Sequence, residues 1–242
     1  MIFDARQIAR GWLAVALAAS GDKDRPQLFR TVNVEQHAHG VRLVATDSYV
    51  LLHAYVPELH HEDDPPPGID EAPIATCTAM DPHGRAKGFL AHVLKLATTN
   101  VDGGPPDPID IYLRLNVLGE ERTQGTLVGL EARTLVLEQP EVERLVLDVY
   151  EGSYPSWRGA LGLVAPVVTD RIALNPEIVG RLAKIGKIHP SARLGWTFSG
   201  PDRPARIDAI DSDPYIDGLV MPAPWDFAAN RPVPTDPDDG DE

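Results

Sequence analysis

The sequence predicts an α+β fold assembled from repeated helix-plus-antiparallel-strand units. Two observations predict it. Apolar residues recur first at helical spacing and then in β-branched alternation, and this helix-then-strands order returns three times along the 242 residues. Clusters of Gly, Pro, Asn and Asp punctuate the order where turns are needed.

The first unit opens with Asp4 as helix N-cap and Gln7 at the capping-box position. Ile8, Trp12, Val15, Ala16 and Ala19 then share one helical face, and Gly21 ends the helix. Strands are expected at Leu28–Val34, Val41–Thr46 and Tyr49–Val56, with turns at His37–Gly40 and Asp47–Ser48. The acidic, Pro-rich stretch 58–73 cannot join a helix or a central strand and reads as an exposed loop. A strand at Ile74–Ala79 and a helix over Ala86–Thr98 open the second unit, with Phe89, Leu90, Val93, Leu94 and Ala97 facing inward. Its strands are Ile109–Leu115, Gly125–Glu131, Arg133–Leu137 and Leu145–Val149. The third unit has a strand at Val167–Ala173, then a helix capped by Asn175 with Pro176 at its first position and Gly186 at its stop. Ile178, Val179, Leu182 and Ile185 form that helix's buried face, and strands follow at Leu194–Phe198, Ala205–Ile210 and Ile216–Val220. The domain organisation is therefore a domain of two units over 1–150, a linker over 151–164, a half-domain or short second domain over 165–225, and an acidic disordered tail over 226–242.

Composition narrows the function classes. Apolar residues make up 43% of the chain, enough for a real core. The longest apolar run falls far short of the roughly 20 residues of a membrane span, so no membrane partner is expected. The single cysteine, Cys77, excludes an internal disulfide and suits a cytoplasmic protein. Net charge is −14, but six acids lie within the 58–73 loop and six more follow Trp225. Without them the body is close to neutral. No Gly-x-Ser-x-Gly, phosphate-binding loop or His-Glu-x-x-His occurs, and Cys77 lacks a reactive context, so no catalytic residue is assigned. The best competing constellation is His37, His39, His60 and His61, with Glu62 and Asp63 beside them. These could ligate zinc if the turn and the loop met. Exposed loop histidines are the commoner outcome, so neither metal nor cofactor is expected.

Three short segments carry the functional information: Ala45-Thr46-Asp47-Ser48-Tyr49-Val50-Leu51-Leu52, Glu151-Gly152-Ser153-Tyr154-Pro155-Ser156-Trp157-Arg158 and Leu219-Val220-Met221-Pro222-Ala223-Pro224. The first alone is a β-turn with local Asp and Ser hydrogen bonds. The second alone is a linker turn stiffened by Pro155, its Arg158 open to solvent or to phosphate. The third alone is a closing strand whose Met fills a gap. Together and in this order they resemble the bacterial DNA polymerase III beta sliding clamp family. That family carries an Ala-Thr-Asp-Ser/Gly-x-Arg-Leu hairpin, a Gly-x-Phe-Pro-Asp-Tyr linker and a Val-Met-Pro ending. Val50 stands where the family has Arg, Ser156-Trp157 replace Asp-Tyr, and Ala223 replaces a larger apolar residue.

The resemblance implies a DNA-clamp fold, with helices on one face, sheets on the other, and two units per domain. It implies a non-enzymatic processivity factor that encircles double-stranded DNA without reading its sequence. A homo-oligomeric ring, a clamp loader, and a DNA polymerase and other proteins bearing clamp-binding peptides would be its partners. Carried over residue by residue, the peptide pocket comprises Thr46, Tyr49, Leu51, Pro155, Ala160, Leu161, Ile178, Leu219, Met221 and Pro222. The basic residues on or beside the helices, Arg6, Arg10, Lys87, Lys95, Arg181, Lys184 and Lys187, would face DNA phosphates. A solvated helix face would carry the same residues. Three units per chain describe a shortened, phage-type member. Four chains would close a ring of six domains, or three chains if a fourth unit is present. The alternative is a non-ring module that binds clamp-interacting peptides as decoy or regulator.

Overall fold

A computed structural model describes residues 1–59, 61, 64–98, 112–116, 134–139, 143–150, 152–161, 166–167 and 171–224. The first unit comprises β1 (Ile2–Asp4), α1 (Ala5–Val15), β2 (Val32–His37), β3 (Gly40–Thr46) and β4 (Val50–Pro57). The second comprises β5 (Ala75–Ala79), α2 (Arg85–Thr98), β6 (Tyr112–Asn116), β7 (Thr134–Gln139) and β8 (Glu143–Asp148). A short helix, α3 (Arg158–Leu161), sits in the linker. The last unit contains α4 (Pro176–Leu182), α5 (Ile185–Ile188), β9 (Arg193–Thr197), β10 (Ala205–Ile210) and β11 (Ile216–Val220).

Among the described residues, all strand pairs are antiparallel. One sheet has the order β1-β6-β7-β8 and the other β5-β2-β3-β4-β11-β10-β9. Each of the two sheets takes one strand from the opposite unit, β1 in the smaller and β5 in the larger, which interlocks the first two units. The larger sheet then runs on into the last unit, because β11 pairs with β4 in the register Leu219↔Leu51 and Gly218↔Leu52. Gly218 permits this seam: a Cβ there would stand 1.9 Å from the Leu51 carbonyl oxygen, a distance no packed atom tolerates.

The core lies between the helices and the sheets. Ile8, Trp12 and Val15 of α1, Leu90 and Val93 of α2 and Leu182 and Ile185 of the last unit bury against Leu43, Leu52, Val56, Ile207 and Val220. Gly11 brings α1 onto the sheet, since a Cβ there would meet Pro214 at 3.0 Å and Val56 at 3.2 Å. Helix α1 is central, touching both α2 and α5.

Several boundaries differ from the sequence expectation for physical reasons. The Asp4 carboxylate caps α1 by accepting from the Arg6 amide at 2.7 Å. Gln7 does not complete a capping box; it donates to Asp213 Oδ1 at 2.9 Å, a distant partner that outcompetes the local one. Residues 27–30 form a 3-10 turn rather than a strand, and β2 starts at Val32 and continues to His37. The helix expected to run on to Gly186 breaks after Leu182, and Gly186 lies inside α5. Residues 171–173, expected in a strand, are not in one. The expected strand Gly125–Glu131, His60, Glu62, Asp63 and the tail 226–242 lie outside the described residues. No described helix is long and apolar enough to cross a membrane.

Candidate functional site

The β3–β4 hairpin is built around Asp47. Its Oδ1 accepts from the amides of Tyr49 and Val50 at 3.0 and 2.9 Å, and its amide donates to the Val50 carbonyl. Ser48 adopts φ 76°, the left-handed conformation that such a tight turn demands, and its amide donates to Thr46 Oγ1 at 3.1 Å. From outside, Arg25 donates to the Asp47 carbonyl and to Ser48 Oγ, and lies over the rings of Tyr49 and Phe29. The hairpin tip is thus held rigid while leaving Tyr49 55% exposed.

Opposite the hairpin stands α4. The Asn175 side chain caps it by accepting from the Glu177 amide at 2.8 Å, and Pro176 opens the helix. Arg181 on α4 reaches across to Asp47 Oδ2 at 2.7 Å. The chain beyond β11 closes the third side. The Met221 amide donates to the Tyr49 carbonyl at 2.8 Å, and the Ala223 amide to the Ala173 carbonyl. Between these walls lies an open groove of about 390 Å³ lined by Tyr49, Ile178, Met221, Pro222, Ala223 and Pro224, with Asp47, Asn175, Glu177 and Arg181 at its polar edge.

Strand periodicity explains which residues join this groove. Tyr49 and Leu51 alternate with Val50 and Leu52, so the first pair points away from the core that holds the second. Leu219 and Met221 alternate with Val220 in the same way. The groove and an adjacent apolar cluster therefore share one sheet face. That cluster buries Val44, Leu51, Trp157 and Leu219, with Ile69, Tyr154, Ala160 and Leu161 packed against them. The pocket set read from sequence divides accordingly. Tyr49, Ile178, Met221 and Pro222 line the groove. Leu51, Leu219, Ala160 and Leu161 belong to the neighbouring cluster, and Thr46 terminates β3 beneath the hairpin. Pro155 lines a separate, polar-walled cavity of about 530 Å³ beside Glu35 and Trp157.

The linker is fixed by a residue that sequence reasoning missed. Glu35 is buried on β2, where it accepts from Trp157 Nε1 at 3.0 Å and from both terminal nitrogens of Arg158 at 3.1 and 2.6 Å. Arg158 faces this carboxylate, rather than solvent or phosphate. The signal was a lone acid in a β-branched strand, alternating with core positions Val32 and Val34. Asp47 was visible only as a turn residue, and its ion pair with Arg181 depends on tertiary packing.

The basic residues have separate fates. Arg181 pairs with Asp47 at the edge of the groove. Arg6 pairs with Asp4 at 2.8 Å, and Arg10 is half-buried beside His189. Lys87, Lys95, Lys184 and Lys187 are exposed on or beside the helices. Cys77 is buried, and burial pushes its thiol up to about 12, which leaves no thiolate for chemistry at neutral pH.

No model of a known protein family matches this chain, and no curated protein matches it. Solved structures do. The DNA polymerase III beta subunit from Thermotoga maritima aligns with a TM-score of 0.58 at 16% identity, over 93% of this chain and 65% of that one. The sliding clamp from Pseudomonas aeruginosa, solved bound to griselimycin, aligns at 0.56 with 11% identity, over 92% and 64%. The DNA polymerase III beta chain from Streptococcus pneumoniae aligns at 0.53 with 14% identity, over 92% and 64%. The chain has the fold of these beta sliding clamps and spans just under two thirds of their length.

Proposed function

We propose that this protein is a sliding clamp: a processivity factor that assembles around duplex DNA and docks polymerase and other partners by short peptides. The observation that carries the reading is the convergence of the hairpin, α4 and the chain after β11 on one apolar groove. These segments are remote in sequence, and core packing alone does not require that they share an open cleft. A groove with an apolar floor and a rigid polar edge suits an extended peptide with Leu or Phe anchors. A tethered partner gains effective concentration near the primer end without any catalysis by the clamp.

The DNA-facing surface in this reading is the helix side, where Lys87, Lys95, Lys184 and Lys187 offer phosphate contacts without base readout. Among the described residues β9 ends the larger sheet, and such an end is a pairing site for another chain. Three or four chains would then form the ring, with a loader or spontaneous opening admitting DNA. The net charge of −14 favours a second reading, a non-ring module that binds clamp-interacting peptides as a decoy.

Titration of clamp-binding peptides tests the groove. The expected affinity is micromolar, about −8 kcal/mol, because the peptide must be ordered on binding. Met221→Ala should weaken it by roughly 1–2 kcal/mol with the fold intact. Equal binding by both proteins would count decisively against the site.

A further inference from the structure

The turn between β2 and β3 and the acidic loop bring together three side chains that peptide docking does not use. His39, His61 and Asp64 each offer a ligand atom, and these atoms lie within 4.8 Å of one another. The two imidazole rings stack, with centroids 4.3 Å apart and planes at 28°. Asp64 Oδ2 lies 2.7 Å from His61 Nδ1. Backbone hydrogen bonds hold the arrangement. The Glu58 amide donates to the His39 carbonyl at 2.8 Å, the His61 amide to the Glu58 carbonyl at 2.9 Å, and the Asp64 amide to the His61 carbonyl at 3.1 Å. His37, the other histidine of this turn, is not part of the group; it is buried beside Glu35 and Tyr55.

Two imidazoles and one carboxylate form a ligand set for a borderline divalent transition ion, and imidazole nitrogen discriminates against calcium and magnesium. His61 and Asp64 are 40% and 46% exposed, so water can complete a tetrahedral shell. We propose that His39, His61 and Asp64 bind a zinc-class divalent cation that fastens the acidic loop to the β2–β3 turn. The far limb of the loop is already tied down. Arg42 donates to the Pro67 carbonyl at 2.6 Å and Arg158 to the Ile69 carbonyl at 2.7 Å. The near limb carries a run of acids whose mutual repulsion a bound cation offsets. Because Ile69 packs against Leu51, Trp157 and Leu219, the ion orders a loop that also braces the apolar cluster beside the groove.

The test is calorimetric titration of the tag-free full chain with zinc chloride, and with cobalt(II) for its visible absorption. Wild type, His61→Ala and the His39→Ala/His61→Ala double variant are compared. Wild type should bind one ion per chain in the micromolar range. His61→Ala should lose about tenfold or more in affinity, and zinc should slow proteolysis of the loop in wild type but not in the double variant. His39 is exposed on the β2–β3 turn and His61 is half-buried in the loop, and unchanged thermal melting without metal verifies the fold. Met221→Ala should bind the ion as wild type does, so this result stands apart from peptide docking. Absence of wild-type binding at millimolar zinc, or equal binding by the double variant, overturns the proposal.

Discussion

One carboxylate, that of Asp47, serves two walls of the groove. It turns the hairpin through two backbone amides and anchors α4 through Arg181. Asp47→Ala should cost about 2 kcal/mol of stability, because its amide partners and a partly buried guanidinium lose their acceptor. Asp47→Asn should cost less, since Oδ1 can still accept from the amides. Denaturant unfolding of the two variants checks the order; an Ala variant as stable as wild type would contradict it. His189 makes a second residue-level prediction. Burial, reinforced by the charge of Arg10, lowers its pKa to about 4. The unfolded chain takes up a proton at an ordinary pKa near 6.5, while the folded chain stays neutral there. Stability is therefore fully present above about pH 6.5 and falls as pH drops toward about 4, by roughly 2 kcal/mol at about pH 5. His189→Gln should flatten that part of the stability profile relative to wild type, and identical profiles would remove His189 as the cause.

At the scale of elements, periodicity made the helices legible because each faces a single core. The spacing of Ile8, Trp12 and Val15 and of Phe89, Leu90 and Val93 needs no tertiary information. The 3-10 turn at 27–30 was not legible, because Leu28 and Phe29 read as strand residues unless the turn before β2 is known. The break between α4 and α5 was hidden because Ile178, Leu182 and Ile185 keep a helical spacing across it. The groove was half legible. The motifs named Tyr49, Met221 and Pro222, while Arg181 read as a surface cation, because nothing local shows that Asp47 lies across from it. The exposed lysines of the helix side test the DNA-facing assignment. Reversing Lys87, Lys184 and Lys187 to Glu should reduce retention on circular DNA, with stability moved by only about 0.5 kcal/mol. Unchanged retention would remove this face from the role.

For the whole molecule, the topology explains how segments remote in the chain come to share one groove. The seam between β4 and β11 carries one sheet from the first unit into the last and places Leu51 beside Leu219. The repeated helix-and-strand order was visible in the sequence. The exchange of β1 and β5 between sheets was not, because antiparallel pairing partners are chosen by the fold and not by neighbours in the chain. Among the described residues β9 lies at the end of the larger sheet, and there the clamp reading and the decoy reading diverge. Light scattering across a range of micromolar concentrations separates them most directly. A clamp predicts a defined assembly of three or four chains, whereas a strict monomer at every concentration would contradict ring formation.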